Sequence, residues 1–131
     1  MSRRSDQRRA AVFALYQHDV TGRGVDDVLD RDATTFTRAL TYAADDYVED
    51  LDAQIARHSR GWSIDRIAPL EKAIMRVALF EILHSDDVPV EVAIDEAVEL
   101  AKRYCGADAP GFVNGVLGAA LREARAGGGA N

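Results

Sequence analysis

Apolar residues recur along most of this chain at steps of three and four, the period of a helix with one buried face. No stretch keeps the two-residue alternation of a strand. Over residues 5 to about 19, Val12, Leu15, Tyr16 and Asp19 or Val20 share a face, with Ala11 beside them. Ser5 suits the N-cap of that helix, and residues 21–24 end it. A short helix fits residues 25–30. The cleanest stripe is Phe36, Leu40, Ala43, Tyr47, Leu51, Ile55 and His58, which predicts one long helix from Thr34 or Thr35 to near Gly61. Gly61-Trp62-Ser63 is a break, and Ser63 suits a short turn that holds Ile64 and Ile67. From Pro69 to about His84 the chain is apolar nearly all round, as expected of a helix at the centre of a core. The next helix runs from about Val90 to Tyr104 and buries Ile94, Ala97, Val98, Ala101 and Tyr104, with Gly106 suited to a left-handed C-cap. The last begins near Pro110 and carries Phe112, Val113, Val116, Leu117 and Leu121. Gly115 and Gly118 weaken it, which points to close approach of a neighbouring helix.

These elements predict an all-α fold in a single domain of six to seven helices over residues 1–125. The glycine-rich residues 126–131 are expected to form a disordered tail. At 131 residues the chain buries enough surface to fold without metal or disulfide. Cys105 is the only cysteine and reads as a half-buried structural thiol. His18, His58 and His84 lie on different elements without ligand spacing, so surface or core-edge positions are expected and no metal site. Asp45, Asp46, Glu49, Asp50 and Asp52 fall largely off the apolar stripe and read as a solvated face. No nucleophile elbow or phosphate loop occurs, so neither catalytic residues nor a cofactor are expected. The basic start lacks the apolar core of a secretory signal, and no run is long enough to span a membrane, which predicts a cytoplasmic protein.

Charge is unevenly spread. The net charge is −6, yet residues 1–10 hold Arg3, Arg4, Arg8 and Arg9 against Asp6, a net +3, and the remainder holds −9. A basic head on an acidic body fits a nucleic-acid contact at the head, or a solubilising tail, and a basic protein partner on the body.

Four blocks carry a family resemblance: Arg8-Arg9-Ala10-Ala11-Val12-Phe13-Ala14-Leu15-Tyr16-Gln17; Glu71-Lys72-Ala73-Ile74-Met75-Arg76-Val77-Ala78-Leu79-Phe80-Glu81; Val88-Pro89 followed by Val92-Ala93-Ile94-Asp95-Glu96-Ala97-Val98-Glu99-Leu100-Ala101-Lys102; and Phe112-Val113-Asn114-Gly115-Val116-Leu117. In this order and spacing they resemble the NusB family of transcription antitermination factors. The resemblance implies two packed three-helix subdomains and no enzymatic activity. It also implies binding of the single-stranded boxA RNA element of ribosomal RNA operons together with NusE, a small-subunit ribosomal protein, within an RNA polymerase antitermination complex. Self-association into a homodimer is left open.

By the same resemblance Arg3, Arg4, Arg8 and Arg9 contact phosphates. Phe112 offers a ring on which a base stacks, or is an ordinary core residue. Asn114 bonds RNA or pins the helix start. Lys102 and Arg103 widen the basic surface or complement a helix C-terminus. The NusE surface falls around Tyr16, Glu71, Arg76 and Glu81, unless Arg76 is spent in an internal ion pair with Glu71 or Glu81. Asp95 stands where the family often has Asn, and Gly111 where a basic or polar residue often precedes the Phe-Val-Asn block. A second class of function is a protein-interaction module that leaves RNA to its partner. An enzymatic reading, as a domain fused to an RNA cytosine methyltransferase, needs a catalytic domain that this sequence does not contain.

Overall fold

The computed structural model of the chain describes residues 3–129. Among them are seven α-helices: α1 (Arg4–Thr21), α2 (Val25–Val28), α3 (Thr35–Asp46), α4 (Val48–Arg57), α5 (Pro69–His84), α6 (Val90–Tyr104) and α7 (Ala109–Gly129). A 3₁₀ turn at Ile64–Arg66 precedes α5.

Helix α5 is the hub. Every residue from Ala73 to Leu79 is buried, and α5 packs against α1, α3, α4, α6 and α7. Pro69 at its start gives up a backbone N–H that no helical carbonyl would have used. Ion pairs fix how its neighbours run. Arg8 reaches Glu81 and Asp19 reaches Lys72, so α1 lies antiparallel to α5. Arg8 also reaches Glu96, and Phe13 meets Tyr104, so α1 lies parallel to α6. Arg125 meets Glu91, which sets α7 antiparallel to α6. One end of the molecule therefore gathers the starts of α5 and α7, the end of α6 and the turn after α4.

Several sequence expectations need correction. The stripe read as one long helix is broken at Tyr47, which ends α3 and starts α4. Its ring stacks 4.3 Å from that of His84 and 5.6 Å from Phe80. The apolar spacing runs through the break unchanged, so it carries no sign of the kink. Thr34 caps α3 by accepting the Thr37 amide at 3.1 Å. Ser5 caps nothing; it lies inside α1 and donates to Glu96 Oε1 at 2.8 Å. Gly22 ends α1 at φ 75°, a left-handed position that glycine takes without steric cost. Gly106 does not, because α6 closes through extended Cys105. Tyr104, expected inside, is 43% exposed and meets Phe13 edge-to-face at 5.1 Å. Gly115 faces open space and Gly118 touches only Arg122 of its own helix, so neither seats a neighbouring helix. Helix α7 continues to Gly129, past the boundary expected at Ala126; Ala130 and Asn131 of that expected tail lie outside the described residues.

Candidate nucleic-acid and partner interface

The basic head divides according to the turn of α1. A helix advances about 100° per residue, so Arg8 falls on the stripe of Ala11, Val12 and Leu15. It is 8% exposed. Its guanidinium donates through Nε to both oxygens of Glu81, at 2.8 and 2.9 Å, and through Nη1 to Glu96 at 3.1 Å. Arg8 thus fastens α1 to α5 and α6 and has no face for a phosphate, contrary to the sequence reading. Arg4 turns toward α3, with its guanidinium 4.0 Å above the Phe36 ring and Nη1 on Gln7 at 2.9 Å. Arg9 is half-buried and pairs with Asp6 at 3.1 Å. Arg3 is exposed.

Arg3 and Arg9 share a hollow of about 270 Å³ with Arg103 of α6, whose other walls include Asp6, Glu96 and Glu99. Lys102 and Arg103 are exposed at the end of α6 and make no ion pair among the described residues. Past Gly106, Phe112 is half-buried. It packs on the core by one side and lines two surface hollows by the other, so it is not wholly a core residue. Asn114 is exposed with no side-chain hydrogen bond among the described residues, so nothing there pins the helix start through it. Asp95 is exposed on α6. Gly111 lines one of the hollows beside Phe112, and a Cβ there would meet nothing within 4 Å.

The candidate partner residues divide in the same way. Glu81 is 3% exposed and consumed by Arg8. Arg76 is 8% exposed and grips Asp52 of α4 with two hydrogen bonds, of 2.7 and 2.8 Å, with Asp19 at 3.7 Å. Both are internal, and neither presents a surface to a partner. The expected internal pairing of Arg76 holds, but with Asp52 and Asp19 rather than Glu71 or Glu81. A charge this deep persists only when paired. Burial works against the Arg76 cation, but the Asp52 hydrogen bonds and the fields of Asp52, Asp19 and Asp45 overcome it and raise its pKa. Asp52 is accordingly a partner to the core, not part of a solvated face. Burial pushes the Glu81 carboxyl above its usual range; Arg8 pulls it back, and Glu96 and Asp87 add to the push.

Tyr16 is half-buried against the core, and Glu71 is half-buried at the start of α5. The Glu71 carboxyl has no ion pair among the described residues, and burial raises its pKa. The Lys72–Asp19 contact at 3.6 Å brings the two ends carrying Tyr16 and Glu71 side by side. Cys105 is half-buried, and burial, then the Glu71 charge, raise its thiol pKa.

Trp62 stands out in the structure, whereas in the sequence it is only part of a break. It is 54% exposed beside Phe112, with Arg60, Arg66 and Arg122 around it. The one signal in the sequence is a tryptophan set between arginines at 60 and 66. No group of His, Cys, Asp and Glu suited to a metal ion occurs among the described residues. Nor is any helix among the described residues long and apolar enough to cross a membrane.

The model of the NusB family matches residues 5–122. The transcription antitermination protein NusB of Symbiobacterium thermophilum is 39% identical, over 100% of this chain and 96% of that protein. That of Halalkalibacterium halodurans is 42% identical, over 89% and 91%. Among solved structures, T. maritima NusB superposes with a TM-score of 0.85 at 30% identity, over 93% of this chain and 92% of that one. A NusB bound to NusE and double-stranded RNA superposes with a TM-score of 0.82 at 26% identity, over 92% and 96%.

Proposed function

The chain belongs to the NusB family, and from that premise we propose that it is a transcription antitermination factor. In this reading it binds boxA-type single-stranded RNA of ribosomal RNA operons together with NusE and promotes processive transcription by RNA polymerase. One observation carries the RNA assignment to particular residues. Cations with no ion pair among the described residues, Arg3 before α1 and Lys102 and Arg103 at the end of α6, are exposed near a shared hollow, and Phe112 follows across the short connection to α7. Single-stranded RNA asks for that combination of cations for phosphates and a ring for an unstacked base.

The cationic edge is thin. Arg8 is internal, Arg9 is shared with Asp6, and Glu99 faces the same hollow. NusE, a basic ribosomal protein, then supplies much of the affinity and docks on the surface around Tyr16 and Glu71. The thin edge also favours the second reading, a protein-interaction module that leaves RNA wholly to its partner.

Fluorescence anisotropy with a short boxA-type strand and a scrambled control, with and without NusE and at two salt concentrations, decides between them. Tighter binding of boxA in the complex, weakened by salt and by Arg3→Ala with Arg103→Ala, is the expected result. A well-formed complex with NusE whose RNA binding ignores those two arginines overturns direct RNA contact by this chain.

A further inference from the structure

Two hollows, of about 380 and 440 Å³, flank Trp62 and Phe112. One lies between the turn after α4 and the start of α7, lined by Arg60, Gly111, Gly115 and Arg122 among others. The second lies between that turn and the starts of α5 and α7, and includes Arg66, Glu71 and Asp108. Trp62 is the most exposed large apolar side chain among the described residues. Water-exposed tryptophan is costly to leave uncovered, and it is the side chain best suited to stacking on a base. Arg60, Arg66 and Arg122 make no ion pair among the described residues, whereas Arg57 nearby is taken by Glu123 at 3.1 Å. Arg60 is also the only described non-glycine residue at positive φ, 51°, followed by Gly61 at 89°. This left-handed pair turns the chain sharply just before Trp62. Gly111 and Gly115 leave the floor open, since a Cβ at either would meet nothing within 4 Å.

We propose that Trp62, with Arg60, Arg66 and Arg122, forms a second nucleotide site in which single-stranded RNA leaving Phe112 stacks a base on the indole and places its phosphates on the three arginines. The proposal rests on the RNA-binding reading above and extends its track past Phe112 to the turn after α4. Three arginines face Glu71 and Asp108 across the two hollows, and Glu123 is already engaged by Arg57 and His58. The local balance therefore favours a polyanion over an acidic or neutral peptide. Glycine at 111 fits this use, because a side chain there would narrow the hollow that receives the base.

Trp62 is the chain's only tryptophan, so its emission reports on the site directly. The full chain, in complex with NusE, is titrated with a boxA-type strand and with the same strand extended at either end by uridines. Anisotropy of the labelled RNA and tryptophan emission are read together, with the emission change on adding NusE alone subtracted. The expected result is quenching that is stronger with an extended strand. Trp62→Leu should bind that strand about tenfold more weakly, with Trp62→Phe retaining most of the affinity. Arg60→Ala with Arg122→Ala should lower the slope of log affinity against log salt by about 0.7 for each phosphate no longer neutralised. RNA binding with unchanged emission and an unaffected Trp62→Leu protein overturns the site and leaves the antitermination reading intact. Quenching by NusE alone, with none added by RNA, makes the hollow a protein contact and also overturns it. No RNA binding by anisotropy at all removes both readings together.

Discussion

Arg8 and Arg76 lie inside this molecule, each held by two carboxylates from neighbouring helices, whereas Arg3, Arg60, Arg66, Arg103 and Arg122 stand on its surface with no carboxylate partner among the described residues. The same side chain does opposite work in the two places. Inside, a guanidinium meets Glu81 and Glu96, or Asp52 and Asp19, and its fixed geometry sets which helices lie together and in which direction. Outside, an unmatched cation contributes little to folding and is free for a phosphate. An arginine-rich protein need not therefore be an RNA-binding one. What counts is whether each positive charge has already been matched by the fold.

The largest effect expected from this contrast is on stability. Arg8→Ala leaves Glu81 buried without its partner and should cost about 3–5 kcal/mol, read from the urea midpoint. That is a large part of the roughly 5–15 kcal/mol that holds a domain of this kind together. Arg8→Met combined with Glu81→Leu removes both charges while keeping volume, and should recover most of the loss. If the single variant unfolds no more easily than wild type, Arg8 is not a structural charge and returns to the RNA surface.

The converse effect is smaller and falls on binding. Arg3→Ala, Arg9→Ala and Arg103→Ala together should leave the midpoint within about 0.5 kcal/mol of wild type. They should nonetheless weaken boxA binding and flatten its salt dependence by about 0.7 for each phosphate left without its cation. A triple variant that loses stability instead would place these arginines with Arg8, and the contrast would fail.

Much of the fold was legible because burial writes a period into the sequence. Pro69 marked the start of α5 and the unbroken apolar run marked its central place; Thr34 and residues 21–24 marked ends that the structure keeps. The division of the arginine head was legible in principle, since Arg8 shares a face with Ala11, Val12 and Leu15, but clustering of like residues concealed it. The break at Tyr47 was not legible, because Leu40, Leu51 and Ile55 stay on the core side through it. Gly115 and Gly118 show a further limit. A missing side chain signals that something needs room, and the sequence does not say whether a helix fills that room or a hollow stays open. Trp62 was hidden for a related reason, since a tryptophan beside a glycine reads as punctuation until its exposure is known.

Glu71 lies between the two kinds of charge, half-buried yet without an ion pair among the described residues, and carries the smallest predicted effect. Burial raises its pKa in the folded protein, so the folded state holds the proton more tightly than the unfolded chain does. The sign follows by linkage. The stability this group contributes is fully present below its unfolded pKa and is lost as pH rises through the raised folded value. Glu71→Gln removes that loss and should make the protein about a few tenths of a kcal/mol more stable near neutral pH, a small gain because water still screens the carboxylate. The difference between variant and wild type should vanish on acidification. Because the Glu71 charge also helps to raise the Cys105 thiol, the same change should lower the pH at which a thiol reagent labels Cys105, leaving the effect of burial. If Glu71 meets a cation of NusE, as proposed, the substitution that steadies the free protein weakens the complex. A variant less stable at neutral pH, with its deficit shrinking in acid, would show instead that Glu71 has a partner inside the fold.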